Sequence, residues 1–572
     1  KTAPEITIGF EMAPNSKSPI FKGTTEIGAT ITIDVAGATY ITTAADGTWS
    51  LDTTTAEETY GTLNLDYNGT NLVSATATDI AGNSSSQNYN YATQSEVSYF
   101  TGYELKAPVG FYGYDEYYGN EITAIGTSGE FIVTFAEMQS SILFPDCDIS
   151  DIDYDSLVFV QKFNELAEPI GPIIQLDKAD NTASQQYPKI TEIGTNGEFI
   201  VTYTGLDIHE DGCSYDSSVF VQKFSAAGIP VGPLIHLDAG RNETSPQVTE
   251  IGTDGEFVVT FSSYGLVYVQ KFNADGTVIP DSMVTMRVLS DDYANAVTPH
   301  DTVQIGTEGE FVVTYGGEDN IYVQKFDSDG VASGSLVQLE GVTLDDYTIP
   351  KITALGADGE FAVAYKTYGG VKVSKFNTDG TVHTEFSDSI SSGYGYDPQI
   401  EALGTNGEFA VVYSGYDFEE NFIHIQKFYP DGTKNGSVIE IISPDNSFDY
   451  TNWQITSLGT DGAFAVTFMK IHHSGEGDSS IYVQKFNPNA TEAGSLIELK
   501  GPNNTDSNYE YPQIAAVGSD EEFVITFSGI DTQGDYSIFI QKFDTNGIPV
   551  ENSIDLNTVE LVGVTTDDTV LF

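Results

Sequence analysis

The chain has 572 residues and carries 84 Asp and Glu against 22 Lys and Arg, a formal charge of −62. That balance excludes a nucleic-acid binder, which needs clustered cations to neutralise phosphates, and it excludes an anchor on an anionic membrane surface. With 40% hydrophobic and 12% aromatic residues, the chain can fill a sizeable core instead of staying disordered. No apolar run approaches the ~20 residues of a membrane span, so membrane insertion is not expected. The start at Lys1, without a signal-like segment, reads as an excised fragment or a mature protein.

Two cysteines, Cys147 and Cys213, exclude a disulfide framework and a Cys-rich metal module. Few Cys and Lys beside many Asp, Asn, Thr and Gly suit an extracellular β protein. Its acidity serves either a solvated, salt-adapted surface or the binding of Ca²⁺.

Residues 1–95 form the first expected domain. Alternating segments at 29–35 and 72–78, with turns at Asp46-Gly47 and Ala81-Gly82-Asn83, give the pattern of a small β-sandwich. Residues 96–572 are dominated by a repeat. Gly-Glu-Phe and an apolar run recur at Phe131, Phe199, Phe257, Phe311, Phe361 and Phe409, with variants at Phe464 and Phe523. Eight copies spaced about 56 residues apart signal a propeller, a solenoid or an array. Each copy holds four strand-like pieces, in the second copy a (189–194), b (198–203), c (219–224) and d (234–237), joined by Asn-Gly or Asp-Gly turns. Four antiparallel strands per copy predict an all-β fold with an eight-bladed β-propeller, which hides its sheet edges by radial repetition; seven blades is the alternative. Residues 103–106 resemble a strand d placed ahead of the first strand a, and would close the last blade in competition with 553–556.

Inside the repeat, Glu precedes the strand-b Phe in seven of eight copies and Lys precedes the strand-c Phe in all eight. Antiparallel pairing of b with c brings these ends together, so a ring of bracing Glu–Lys pairs is expected. Trp453 stands where other copies have Pro188, Pro246, Pro350, Pro398 and Pro512, which favours a structural role. Trp49 is expected in the core of the first domain.

Functional residues are sought in the b–c connections, which vary in length and share one face of a propeller. The connections of copies one and two, 136–156 and 204–217, are long, and those of copies three to five are short. A groove beside the tall side is the default ligand site, with Tyr264, Asp319, Tyr368, Tyr416, Asp417 and Phe418 as candidates for stacking on and hydrogen bonding to a sugar or peptide. The first connection carries Asp146, Asp148, Asp151, Asp153 and Asp155, hard oxygen ligands suited to Ca²⁺ without the spacing of an EF-hand. Cys147 and Cys213 fall in equivalent connections of neighbouring copies, so a disulfide between them is expected in an oxidising compartment. Nucleophile elbow, HExxH and phosphate-loop signatures are absent from the sequence.

The run GATITIDVAG, ADGTWSLD and LVSATATDIAGNSSS between Gly28 and Ser86 resembles the bacterial Ig-like repeats of very large surface proteins, notably RTX-type adhesins. The GEFVVTF and YVQKFDSDG pieces resemble propeller-forming repeats of large secreted bacterial proteins. The first resemblance implies calcium at domain junctions, with Glu26, Asp46 and Asp79 at the family's acidic positions. Together the resemblances imply a monomeric stretch of a longer chain at the bacterial cell surface, binding a cell-surface glycan or peptide. A secreted polysaccharide hydrolase or lyase, and a structural spacer, stand as alternatives.

Overall fold

The computed structural model describes residues 3–4, 6–12, 19–53, 56, 59–61, 70–92, 96–99, 103–105, 119–142, 153–176, 182–208, 215–239, 243–287, 300–317, 320–339, 349–367, 370–386, 394–417, 420–442, 448–472, 479–500, 510–530 and 536–550. It divides into two compact units, Lys1–Ser98 with Gly494–Glu498, and Tyr99–Ala493 with Leu499–Phe572. Among the described residues no helix is long and apolar enough to cross a membrane.

The first unit holds two antiparallel sheets. One joins Gly9–Met12, Pro19–Thr24 and Thr48–Asp52; the other runs in the order Ala38–Thr43, Thr30–Val35, Thr70–Thr78, Ser84–Ala92. Period-2 alternation turns Ile31, Ile33, Val35, Val73 and Ala75 of one sheet toward Phe21, Trp49 and Leu51 of the other, in one buried cluster. Trp49 is in the core, as its sequence context predicts.

The second unit is built from propeller-like four-stranded sheets. In the second copy strands a to d are Thr182–Ile193, Glu198–Ile208, Tyr215–Phe224 and Pro230–Leu237, each longer than its apolar pattern suggests. Copies one to six all run a-b-c-d. The seventh contributes Phe448–Leu458, Ala463–His472 and Ser479–Phe486, the eighth Glu510–Val517, Glu522–Ile530 and Tyr536–Phe543. In the eighth copy the fourth place belongs to Tyr103–Leu105, with Leu105 opposite Ile538. The N-terminal candidate for closing the last sheet therefore does so; 553–556 lies outside the described residues.

Strand b is buried on both faces, because each sheet is sandwiched between two others. Ile132, Val158 and Val160 of copy one pack on Phe199, Val201 and Tyr203 of copy two. Likewise Val258 and Val267 of copy three meet Phe311 and Val313 of copy four. The last such contact joins Val524 and Ile538 of copy eight to Phe131 and Val133 of copy one. Strand a lies against strand a of the following copy throughout, and that of the eighth lies against that of the first. The repeated Phe residues of b and c stand opposite one another in every copy, with ring centroids 4.6–4.9 Å apart and nearly parallel planes. Such pairs add about 0.5–1.5 kcal/mol beyond the area they bury.

The Glu–Lys ring forms as the spacing predicts. In seven copies the Lys Nζ lies 2.8–3.2 Å from the Glu carboxylate of its own copy, as for Lys271 and Glu256 at 2.9 Å. The buried ammonium also reaches forward to a turn carbonyl of the next copy: Lys223 donates to Ala274 at 2.6 Å, Lys325 to Thr378 at 2.6 Å and Lys427 to Pro488 at 2.6 Å. The Gln that precedes this Lys in every copy but the fifth, which has Ser374, has its own task. Gln161 folds back to donate to Lys162 O at 2.8 Å and Ile170 O at 3.2 Å, filling a bulge where the c–d register slips.

Candidate functional site

Because strand a is innermost, its side chains decide what surrounds the axis of the second unit. One register position, opposite the middle of strand b, holds in turn Glu121, Lys189, Gln247, Asp301, Lys351, Gln399, Gln454 and Gln513. Two ammonium groups, two carboxylates and four amides thus form a polar ring of no net charge. Glu121 and Lys189 form an ion pair between neighbouring copies. Lys189 keeps 34% of its side chain accessible from within the axis, although protein surrounds it. Desolvation pulls its ammonium down to about 8; Lys351 pushes the same way, and Asp301 opposes. Asp301 is fixed by the Thr302 N–H at 3.0 Å and by the Ile352 N–H of the next copy at 3.2 Å.

Two residues further along strand a, most copies carry Thr. The sixth carries Glu401, which accepts from the Ser457 N–H at 3.4 Å. Burial raises its carboxyl to about 7, and the Ser457 N–H opposes the rise. On the opposite face of the strands, Glu192 accepts from the Gly126 N–H at 2.8 Å and Glu250 from the Gly194 N–H at 2.5 Å. Both carboxyls are raised by burial. They serve the preceding copy's turn.

The entrance to the axis lies at the start of strand a. Tyr187, Ser245, Asp397, Asn452 and Tyr511 occupy one equivalent position there, all with φ between +45° and +55°, and Gly119 fills it in the first copy at +97°. Strand a bulges at each of these five non-glycine sites. Trp453, just after Asn452, is buried and donates from Nε1 to the Asp397 carbonyl at 2.7 Å, the structural role its place in the repeat predicts.

Around this entrance the b–c hairpins rise unequally. In copies one and two the pairing continues to Ile142 opposite Asp153 and Ile208 opposite Tyr215. In copies three to five it stops at Ser263 with Leu266, Gly317 with Asn320 and Thr367 with Gly370. Much of what reads as long loop is thus strand, a correction to the sequence reading. The backbone ladder, once aligned by the apolar part, continues through polar residues whose side chains break the alternation.

The candidate residues are dispersed. Tyr264 occupies the tip of the third hairpin with φ +48° and 38% exposure. Tyr416 and Asp417 end strand b of the sixth copy, opposite Asn421 and Glu420. Asp153 and Asp155 are in strand c of the first copy, opposite Ile142 and Ser140, rather than in a loop. Asp319, Tyr368, Phe418, Asp146, Asp148, Asp151, Cys147 and Cys213 lie outside the described residues. In the first unit Asp46 accepts from the Thr48 N–H at 2.9 Å and hydroxyl at 2.6 Å. Asp79 accepts from Ala81 N and from Asn83 N and Nδ2, each at 2.8 Å. Both carboxylates lock their own turns. Glu26 lies in the adjoining turn, where its carbonyl accepts from the Ala29 N–H at 3.1 Å. Among the described residues no group of three or more His, Cys, Asp and Glu is gathered to hold a metal ion.

The chain matches no family model and no curated protein sequence. Solved structures do resemble it. The Dos1 propeller is 11% identical with a TM-score of 0.38, over 73% of this chain and 94% of that one. A Lactobacillus plantarum protein is 13% identical with a TM-score of 0.35, over 67% and 97%. An ulvan lyase, a polysaccharide lyase, is 12% identical with a TM-score of 0.36, over 64% and 94%.

The polar ring and the left-handed entrance were missed in the sequence. The signal was present: with the eight strands a aligned, the ring position is the one column that changes between cation, anion and amide.

Proposed function

We propose that the repeats form an eight-bladed propeller, that the first unit is an Ig-like sandwich, and that the chain is a ligand-binding region of a large bacterial surface adhesin. Its ligand is a cell-surface glycan or peptide, taken on the face that carries the b–c hairpins. What supports this reading is the stepped rim: hairpins of copies one and two extend well past those of three to five around a polar axis. An uneven, concave rim with convergent polar groups suits binding to an extended partner. Calcium held by the Asp146–Asp155 stretch, a Cys147–Cys213 bridge and an extracellular location belong to the same proposal. Glycan and peptide arrays probed with the whole chain, with and without EDTA, test it. Binding without turnover is expected, and silence on both arrays overturns it.

A second reading, a secreted polysaccharide hydrolase or lyase, draws on Glu401, whose raised carboxyl is poised to exchange a proton near neutral pH. Release of shortened oligosaccharides, lost in Glu401→Gln, would establish it in place of the first.

A further inference from the structure

The polar ring holds two couples of opposite charge, and only one of them is closed. We propose that the open couple, Asp301 and Lys351, binds a small zwitterion, a free α-amino acid, with its ammonium on Asp301 and its carboxylate on Lys351. This site goes beyond the rim reading and does not depend on what the rim binds.

The two couples have the same relation in the fold. Glu121 and Lys189 share one register position on strands a of copies one and two; Asp301 and Lys351 share it on strands a of copies four and five. In both, the carboxylate precedes the ammonium by one copy, and the two strands lie against one another. Glu121 pairs with Lys189. Asp301 does not pair with Lys351. Its side chain is one methylene shorter, and its oxygens are committed to main chain, Oδ1 to the Thr302 N–H at 3.0 Å and Oδ2 to the Ile352 N–H at 3.2 Å. The carboxylate is thus fixed beside the backbone of copy five, whereas the ammonium stands at the end of a flexible four-carbon stem. Among the described residues Lys351 has neither an ion-pair nor a hydrogen-bond partner. Asp397 of the sixth copy feels its charge without coming within ion-pair distance. An ammonium left unpaired inside a ring of strands is destabilising. Four copies carry glutamine at this register, so the fold itself does not require the charge.

All eight ring residues are half-buried, so solvent reaches them. Lys189 is drawn by Asp301 and repelled by Lys351, two and three copies away. The ring is therefore narrow enough for one small molecule to meet groups from several copies.

The charge balance selects the ligand. The ring has no net charge and the chain carries −62. A simple anion is repelled on approach, and a simple cation leaves Lys351 unanswered. A zwitterion avoids both penalties. Each Asp301 oxygen keeps a lone pair after its main-chain bond, free to accept from an ammonium. Gln247 and Gln399 flank the open couple on copies three and six, and among the described residues their amides have no hydrogen-bond partner. They add an acceptor for the ammonium and a donor for the carboxylate.

Isothermal titration calorimetry of the whole chain against the standard free amino acids tests the proposal. At least one is expected to bind. Its N-acetyl derivative and its carboxamide, each lacking one of the two charges, should bind at least tenfold more weakly. Lys351→Gln and Asp301→Gln install the amide that four copies carry, so the melting temperature is expected to stay close to the parent's. Each should weaken amino-acid binding at least tenfold, while Lys434→Gln leaves it unchanged. Silence with every amino acid overturns the proposal. So does an N-acetyl derivative that binds as tightly as its parent, or an affinity that Lys351→Gln does not move. Glycan and peptide binding is read separately on the arrays, so either proposal can fail without the other.

Discussion

The Lys542 ammonium of the eighth copy donates to the main-chain carbonyl of Glu165 in the first, 377 residues away in sequence. The same ammonium pairs with Glu522 at 2.8 Å and is 6% exposed. Lysines elsewhere join one copy to the next; this one joins the end of the series to its beginning. Lys542→Met removes the donor from a sheltered carbonyl and leaves Glu522 unpaired. It is expected to lower stability by about 2–4 kcal/mol, whereas the exposed Lys434→Met stays within about 0.5 kcal/mol. Urea midpoints at unchanged m-value measure both. Equal effects would show that the closing lysine has no special part.

The seventh copy departs from the pattern and is compensated by the eighth. Ala463 stands where the other copies have Glu, and Lys485 turns instead to Glu521 at 2.6 Å. Glu521 occupies a turn position that the seven other copies give to glycine, and its φ is +63°. Glu521→Gly alone is expected to be nearly neutral, because relief of about 1 kcal/mol of left-handed strain offsets the lost pair. Adding Ala463→Glu to it should then raise stability by about 1 kcal/mol, less in 1 M salt. No gain from the second substitution would mean that the two positions are not coupled.

Features written once per copy were legible in the sequence. The stacked Phe131 and Phe163 and the Lys162–Glu130 pair follow from alternation and antiparallel pairing, whereas the closing strand Tyr103–Leu105 was one of two candidates until its pairing decided it. Features that depend on comparing copies were not. Lys189 looks like any strand residue until its equivalents are aligned around an axis, and the left-handed φ of Tyr187 leaves no trace in a Tyr-Pro dipeptide. The extended hairpins were hidden for a different reason. Paired backbone continues past Met138 without apolar alternation to reveal it.

Each unit carries one buried tryptophan, and the two differ in hydrogen bonding. Trp453 Nε1 has the Asp397 carbonyl, whereas Trp49 Nε1 is buried without a partner among the described residues. Trp49→Phe removes an unsatisfied donor along with some packing, so the terms oppose and the change is expected to stay within about 1 kcal/mol. Trp453→Phe loses packing and a bond together and should cost about 2–3 kcal/mol. Each variant keeps its one indole in the other unit, so the loss is read by circular dichroism during urea unfolding, with fluorescence of the remaining indole as the unperturbed reference. A larger loss for Trp49→Phe would contradict the assignment.

Glu401 gives the fold a defined pH dependence. Burial raises its carboxyl to about 7 from the ordinary value of 4.5. The folded chain therefore holds this proton more tightly than the unfolded chain. The contribution to stability is fully present below about pH 4.5 and is lost as pH rises through about 7. Glu401→Thr installs the residue that copies one, two, three, five and seven carry at the same register, Thr123, Thr191, Thr249, Thr353 and Thr456. At pH 8 the variant is expected to be more stable than the parent by about 1–3 kcal/mol, and the advantage should shrink steadily to nothing near pH 4.5. Because both proteins share every other titrating group, the difference between their denaturation midpoints isolates Glu401 from the general relief of repulsion on acidification. A constant advantage across that range would mean that the gain comes from packing and that the carboxyl does not titrate in the interval.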